Sequence, residues 1–92
     1  MREVNIIREK QKAFKDFLVL IYCDDQVVAS IRDGETVSFC IIEEKHHVVN
    51  AVTYHYNGRR LDSDAISINI GKSLVNLRMR LQEFSIVLEI AA

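Results

Sequence analysis

The side chains of this chain that could do chemistry are three histidines, two cysteines, an aspartate pair and a scatter of arginines and tyrosines. His46 and His47 are adjacent and would project to opposite faces of a strand, and His55 would lie about 27 Å along it at roughly 3.4 Å per residue. One ion held by all three is not expected. Cys23-Asp24-Asp25 has the donor types of a metal nest, but an Asp pair between two apolar runs is first of all turn chemistry, so no metal is expected there. The sequence has no nucleophile elbow for a Ser-His-Asp set, no Gly-rich phosphate loop and no carboxylate pair in an evident cleft. The expectation is a protein that is not an enzyme and uses no cofactor.

Recognition is the chemistry that remains. Arg78 and Arg80 share one strand face, Arg59 and Arg60 adjoin in a loop, and Tyr54 and Tyr56 share a strand face, the raw material of a sheet that binds single-stranded nucleic acid or another polyanion. Against it, 12 basic and 13 acidic residues give a net charge of −1, which offers no long-range attraction to phosphate, and Asn76 and Glu89 lie beside the arginines.

The elements that must position these groups are strands. From Phe17 to Ile42, three apolar runs are joined through Asp24-Asp25 and Asp33-Gly34. Asp tolerates positive φ, so Asp24-Asp25 is expected to close a two-residue turn that sets Leu18, Leu20 and Tyr22 beside Ile31, Ala29 and Val27. A three-residue Arg32-Asp33-Gly34 turn with Gly34 left-handed would pair Ile31 with Glu35, Ala29 with Val37 and Val27 with Phe39. In these registers Cys23 and Cys40 sit two strands apart at about 9.5 Å, beyond disulfide reach, and are expected to be free thiols.

Before this segment, Val4 to Ile7 reads as a strand and Arg8 to Asp16 as a charged connection with a helical turn, although Val4, Ile7, Phe14, Leu18 and Ile21 also fit a helical stripe. After it, Glu43 to His46 is a turn and His47 to Tyr56 a strand with Val48, Val52, Tyr54 and Tyr56 on one side, broken at Asn57-Gly58. Residues 59–64 read as a loop. Residues 66–90 read as a three-stranded meander turning at Gly71-Lys72, with Ile68 opposite Val75, Ile66 opposite Leu77 and Met79 opposite Ile86. Its inner face would be Ile66, Ile68, Ile70, Val75, Leu77, Met79, Ile86, Leu88 and Ile90.

Ninety-two residues make one domain, residues 1–92, with room for a small two-layer core. The expected fold is all-β, an antiparallel sandwich of seven or eight strands joined by hairpins and meanders. No apolar run approaches the roughly 20 residues of a membrane span and no signal-peptide pattern follows Met1, so the expected location is cytoplasmic, without membrane contact.

The run Tyr22-Cys23-Asp24-Asp25-Gln26-Val27-Val28-Ala29-Ser30-Ile31, followed by Gly34-Glu35, Phe39 and His47-Val48, resembles a pattern in small bacterial β-sandwich domains of unassigned function. There it runs roughly Tyr-x-Asp-Gly, a hydrophobic strand ending in Ile, Gly-Glu, an aromatic strand and His-x-Val. The resemblance spans residues 20–77 and rests on turn and core positions. This chain departs from it with Asp25 where Gly is usual and Glu44-Lys45 where a tight turn is usual. It implies a fold and carries over no catalytic residue.

Strand Phe17 to Cys23 is apolar on both sides. In the expected registers Phe17, Val19, Ile21, Val28, Cys40 and Ile42 make a second apolar face, which the first strand, the charged connection or another chain must cover. The functional expectation is a non-catalytic interaction module, self-associating as a homodimer or joined to another protein through that face, with nucleic acid the less favoured partner.

Overall fold

Apolar residues at every second position write most of the strands, and the computed structural model, which describes residues 2–43, 45–68 and 74–91, arranges them as two packed sheets. In chain order they are β1 (Arg2–Arg8), β2 (Val19–Cys23), β3 (Gln26–Ile31), β4 (Thr36–Ile41), β5 (His47–Tyr54), β6 (Arg60–Asp62), β7 (Ile66–Ile68), β8 (Leu74–Leu81) and β9 (Ile86–Ile90). The first sheet has the order β4-β1-β8-β9. The second has the order β3-β2-β5-β6, with β7 also paired to β5. Its long strand β5 thus carries β2 on one edge, while β6 and β7 share the other.

The all-β sandwich read from the sequence is the fold found, with nine strands among the described residues. The added one is β6, where the polar run reads as a loop and Leu61, fully buried, anchors a short strand. Residues 2–22 form strand, 3-10 turn (Lys12–Phe14) and strand rather than a long helix. The pairing of β1 with β8 is parallel, whereas the other ladders are antiparallel.

Three expected pairings differ from the structure. The Gly34 turn forms, with Gly34 at φ +72° and the Glu35 N–H donating to the Arg32 carbonyl at 3.0 Å, but β3 and β4 do not pair across it. Instead β3 joins β2 and β4 joins β1. The turn is a corner where the chain changes sheets, so Ile31 and Ile41 enter the core from opposite layers.

The Asp24-Asp25 turn also forms, both residues at positive φ (51° and 65°), the geometry of a two-residue type I′ hairpin. Two pairs beyond it the register slips: Tyr22 faces Val27, but Ile21 faces Ala29 and Val19 faces Ile31. One bulged residue inverts the expected sides. Phe17, Val19 and Ile21 become core, and Leu18, Leu20 and Tyr22 turn outward.

In the third case β7 pairs with β5 and not with β8. Leu81 faces Ile86 and Met79 faces Leu88, two residues from the expected register, so the inward face is kept while Ile90 at the strand end is exposed. The Gly71-Lys72 turn and Ile70 lie outside the described residues. Cys23 and Cys40 are both free thiols, as expected, though not through the register reasoned for them, since β3 and β4 are unpaired.

Strand β1 carries an unforeseen device. Arg2 and Arg8 stand in phase with the inward-facing Val4 and Ile6, and both are buried. A buried guanidinium must find acceptors. That of Arg8 donates to the carbonyls of Phe14 (2.8 Å), Phe17 (2.5 Å) and Ile31 (3.0 Å), pinning the β1–β2 connection to the end of β3. At the other end Arg2 donates to the carbonyls of Ile68 (3.4 Å), Lys45 (2.6 Å) and Glu43, holding the β4–β5 connection. Among the described residues no helix is long and apolar enough to cross a membrane.

Candidate functional site

The inversion of β2 moves the candidate surface. Phe17, Val19 and Ile21, expected on an interface, are at most 8% exposed and pack against the opposite sheet of the same chain. That sheet, through Val4 and Ile6 of β1, is the cover that the second apolar face needed. The expected patch therefore does not exist as one surface. Val28, Cys40 and Ile42 stay exposed and line a groove between the unpaired edges of β3 and β4.

In its place the structure presents the outer face of the second sheet. Ladder positions bring Leu20 beside Val52, Tyr22 beside Val27 and Asn50, and Tyr54 beside Arg60. Leu18, one turn of the pleat before Leu20, extends the row, and the Thr53 hydroxyl donates to the Leu18 carbonyl at 2.8 Å. Val27, Val48 and Tyr54 are 54%, 41% and 52% exposed, whereas Val52 in their midst is fully buried. The outer face of the first sheet is polar at its centre, with Ile7 and Leu74 exposed toward the ends of β1 and β8. At that centre the Ser38 hydroxyl donates to the side-chain Oδ1 of Asn5 and the Asn5 Nδ2 donates to Asn76 Oδ1 at 3.1 Å, with Arg78 opposite Glu89 in the ladder.

The polyanion residues are not assembled. Arg78 and Arg80 lie on the outer face of the first sheet, while Tyr54 and Arg60 lie on that of the second, so the sandwich separates them by its full thickness. Arg60 is ion-paired with Asp62 at 2.6 Å, which holds its guanidinium above the ordinary arginine range. Arg59 stacks over Phe84, 4.7 Å from the ring centre, and Tyr56 packs edge-on against Phe17 and His55. The expected Arg/Tyr face is thereby divided between two separate surfaces, with Arg59, Arg60 and Tyr56 already partnered.

At the groove, the β2–β3 turn meets the start of β5. Asp24 clamps the two elements twice through the backbone: its N–H donates to the Val48 carbonyl at 2.8 Å and its Oδ1 accepts the Val48 N–H at 2.9 Å. Its Oδ2 bonds Nδ1 of His47, a ring that is 3% exposed and whose Nε2 has no hydrogen-bond partner among the described residues. The Val48 N–H, and then the imidazole, hold the Asp24 carboxyl below the usual carboxylate range. Burial pushes the neighbouring Cys23 thiol up, Asp24 and Glu43 add to this, and Arg2 opposes it. A sulfur, a carboxylate oxygen and a ring nitrogen of Cys23, Asp24 and His47 lie within 4.8 Å of one another. His47 lies 23 positions after Asp24 in the chain, and the β2–β5 ladder, with Cys23 opposite Val49, is what joins them. His46 and His55 stand apart from this group.

No family model and no curated protein matches the chain. A solved structure does: an NMR structure of a protein from Eubacterium rectale, 11% identical, aligned over 97% of this chain and 86% of that one with a TM-score of 0.53. At that identity the likeness is one of fold. It places this sandwich beside a small bacterial domain, consistent with the resemblance drawn from the turn and core residues.

Proposed function

We propose that the protein is a non-catalytic interaction module that packs the outer face of its second sheet against a second copy of itself. The observation that carries this reading is the apolar character of that face, with Leu18, Val27, Val48 and Tyr54 all more than two-fifths exposed around a fully buried Val52. Scattered exposed apolar residues are ordinary, but a row of them on one sheet face is a surface with something to bury. A second copy fits by charge. Arg60 and Asp62 stand side by side on this face, so a twofold-related copy can set Asp62 against Arg60 in both directions, and a net charge of −1 adds little repulsion.

The face spans about three strand spacings of 4.8 Å and some 20 Å along the strands, roughly 300 Å² per copy. That is below the roughly 800 Å² per partner of a standard interface, so the association is weak and concentration-dependent. Sedimentation velocity from dilute to concentrated protein is expected to show a monomer passing into a dimer, with Tyr54→Glu holding the protein monomeric. A wild-type chain that stays monomeric throughout overturns the reading.

A further inference from the structure

We propose that Cys23, Asp24 and His47 form a binding site for a single Zn²⁺ ion at the end of the groove between β3 and β4. Their three donor atoms, within 4.8 Å of one another, stand at the end of β2, in the β2–β3 turn and on the first residue of β5, so binding asks the hydrogen-bonded Asp24–His47 pair to part around the ion and leaves the strand pairing as it is. Ligands around a tetrahedral zinc stand about 3.3–3.8 Å apart, given metal–ligand distances near 2.0–2.3 Å. A thiolate, an imidazole and a carboxylate suit a borderline-soft ion, whereas Ca²⁺ and Mg²⁺ take all-oxygen shells.

Hydrogen bonding does not fully account for the His47 ring. It is almost completely buried and lines the same groove as Cys23 and Asp24, with Nδ1 facing the Asp24 carboxylate and Nε2 without a partner among the described residues. On binding, the Cys23 sulfur gives up its proton to solvent and forms the metal–sulfur bond, His47 supplies a nitrogen lone pair and the ionised Asp24 an oxygen. Thiolate and carboxylate together neutralise the double charge of the ion. Arg2 is the opposing cation, with its guanidinium donating to the backbone carbonyls of Glu43, Lys45 and Ile68. Three protein ligands leave a fourth position open to the groove, where Cys40 and Glu43 are the neighbouring donors.

The test uses the full chain, reduced and stripped of metal, titrated with Co²⁺ as a spectroscopic substitute and with Zn²⁺ against a chromophoric chelator. One ion per chain and a thiolate-to-cobalt charge-transfer band are expected. Cys23→Ser is expected to abolish the band and to weaken Zn²⁺ binding about a hundredfold or more, as loss of a ligand must exceed the 10–100-fold effects of outer-shell changes. Cys40→Ser and His46→Ala keep the band. Asp24→Asn, which preserves the shape of the turn residue, weakens binding with the band still present at higher Co²⁺. His47→Asn is read only after its circular dichroism matches wild type, and Cys23→Ser carries the test if it does not fold. Absence of the band in wild type, its survival in Cys23→Ser, or its loss in Cys40→Ser alone overturns the proposal.

Discussion

The outer faces of the two sheets are built from the same alternating strand pattern and differ in what stands at their centres. On the first sheet the outward residues include Asn5, Ser38 and Asn76, whose side chains bond one another, and Arg78, opposite Glu89 in the ladder, with Ile7 and Leu74 exposed toward the ends of β1 and β8. On the second they are Leu18, Leu20, Tyr22, Val27, Val48 and Tyr54. Both inner faces are satisfied by the shared core, so the difference is no demand of the fold. A face whose central polar groups bond one another gains less from a partner than a face with a row of exposed apolar side chains.

The largest expected effect comes from the two sides of β2. Ile21→Ala, on the inner side and fully buried, should cost about 2–5 kcal/mol of stability in denaturant unfolding at low concentration, where the chain is monomeric. Leu20→Ala on the outer side of the same strand should cost about 1 kcal/mol. Equal losses would mean that the outer face is covered within one chain. The next largest separates buried from exposed arginines. Arg8→Ala leaves the carbonyls of Phe14, Phe17 and Ile31 without their donor and should cost about 3 kcal/mol, while Arg78→Ala on the polar outer face should stay within about 0.5 kcal/mol.

How far these contrasts could be read from the sequence depends on the range of the determinant. Turn residues act locally, and both Asp24-Asp25 and Gly34 adopt the positive φ that their types foretell. The face to which β2 presents each residue depends on the bulge opposite Ile21/Tyr22, where a single extra residue exchanges Leu20 for Ile21, and a strand apolar on both sides offers no pattern to reveal it. That slip carried the interface expectation from the outside to the core. Partner choice is longer-range still: the parallel β1–β8 ladder joins residues more than 70 positions apart, Glu3 to Leu74 among them. Arg2 and Arg8 did leave a signal, since they fall in phase with Val4 and Ile6, but charge at an inward position reads as exposure unless carbonyl acceptors are known. His47 in the groove left none, because its neighbour Cys23 belongs to a different run of sequence.

A smaller effect sharpens the contrast without touching stability. Val27→Lys, at the outer corner of the edge strand β3, should leave the unfolding midpoint within the equivalent of about 0.5 kcal/mol and lower the dimer fraction in sedimentation. A charge placed on the first sheet instead, Ser38→Lys, should leave the dimer fraction unchanged.

The most direct measurement is a dilution series of amide chemical shifts. The account predicts concentration-dependent shifts at Leu20, Tyr22, Val27, Val48 and Tyr54, with Asn5, Ser38, Asn76 and Arg78 unmoved. Shifts confined to the first sheet, or none on either face across the series, would contradict it.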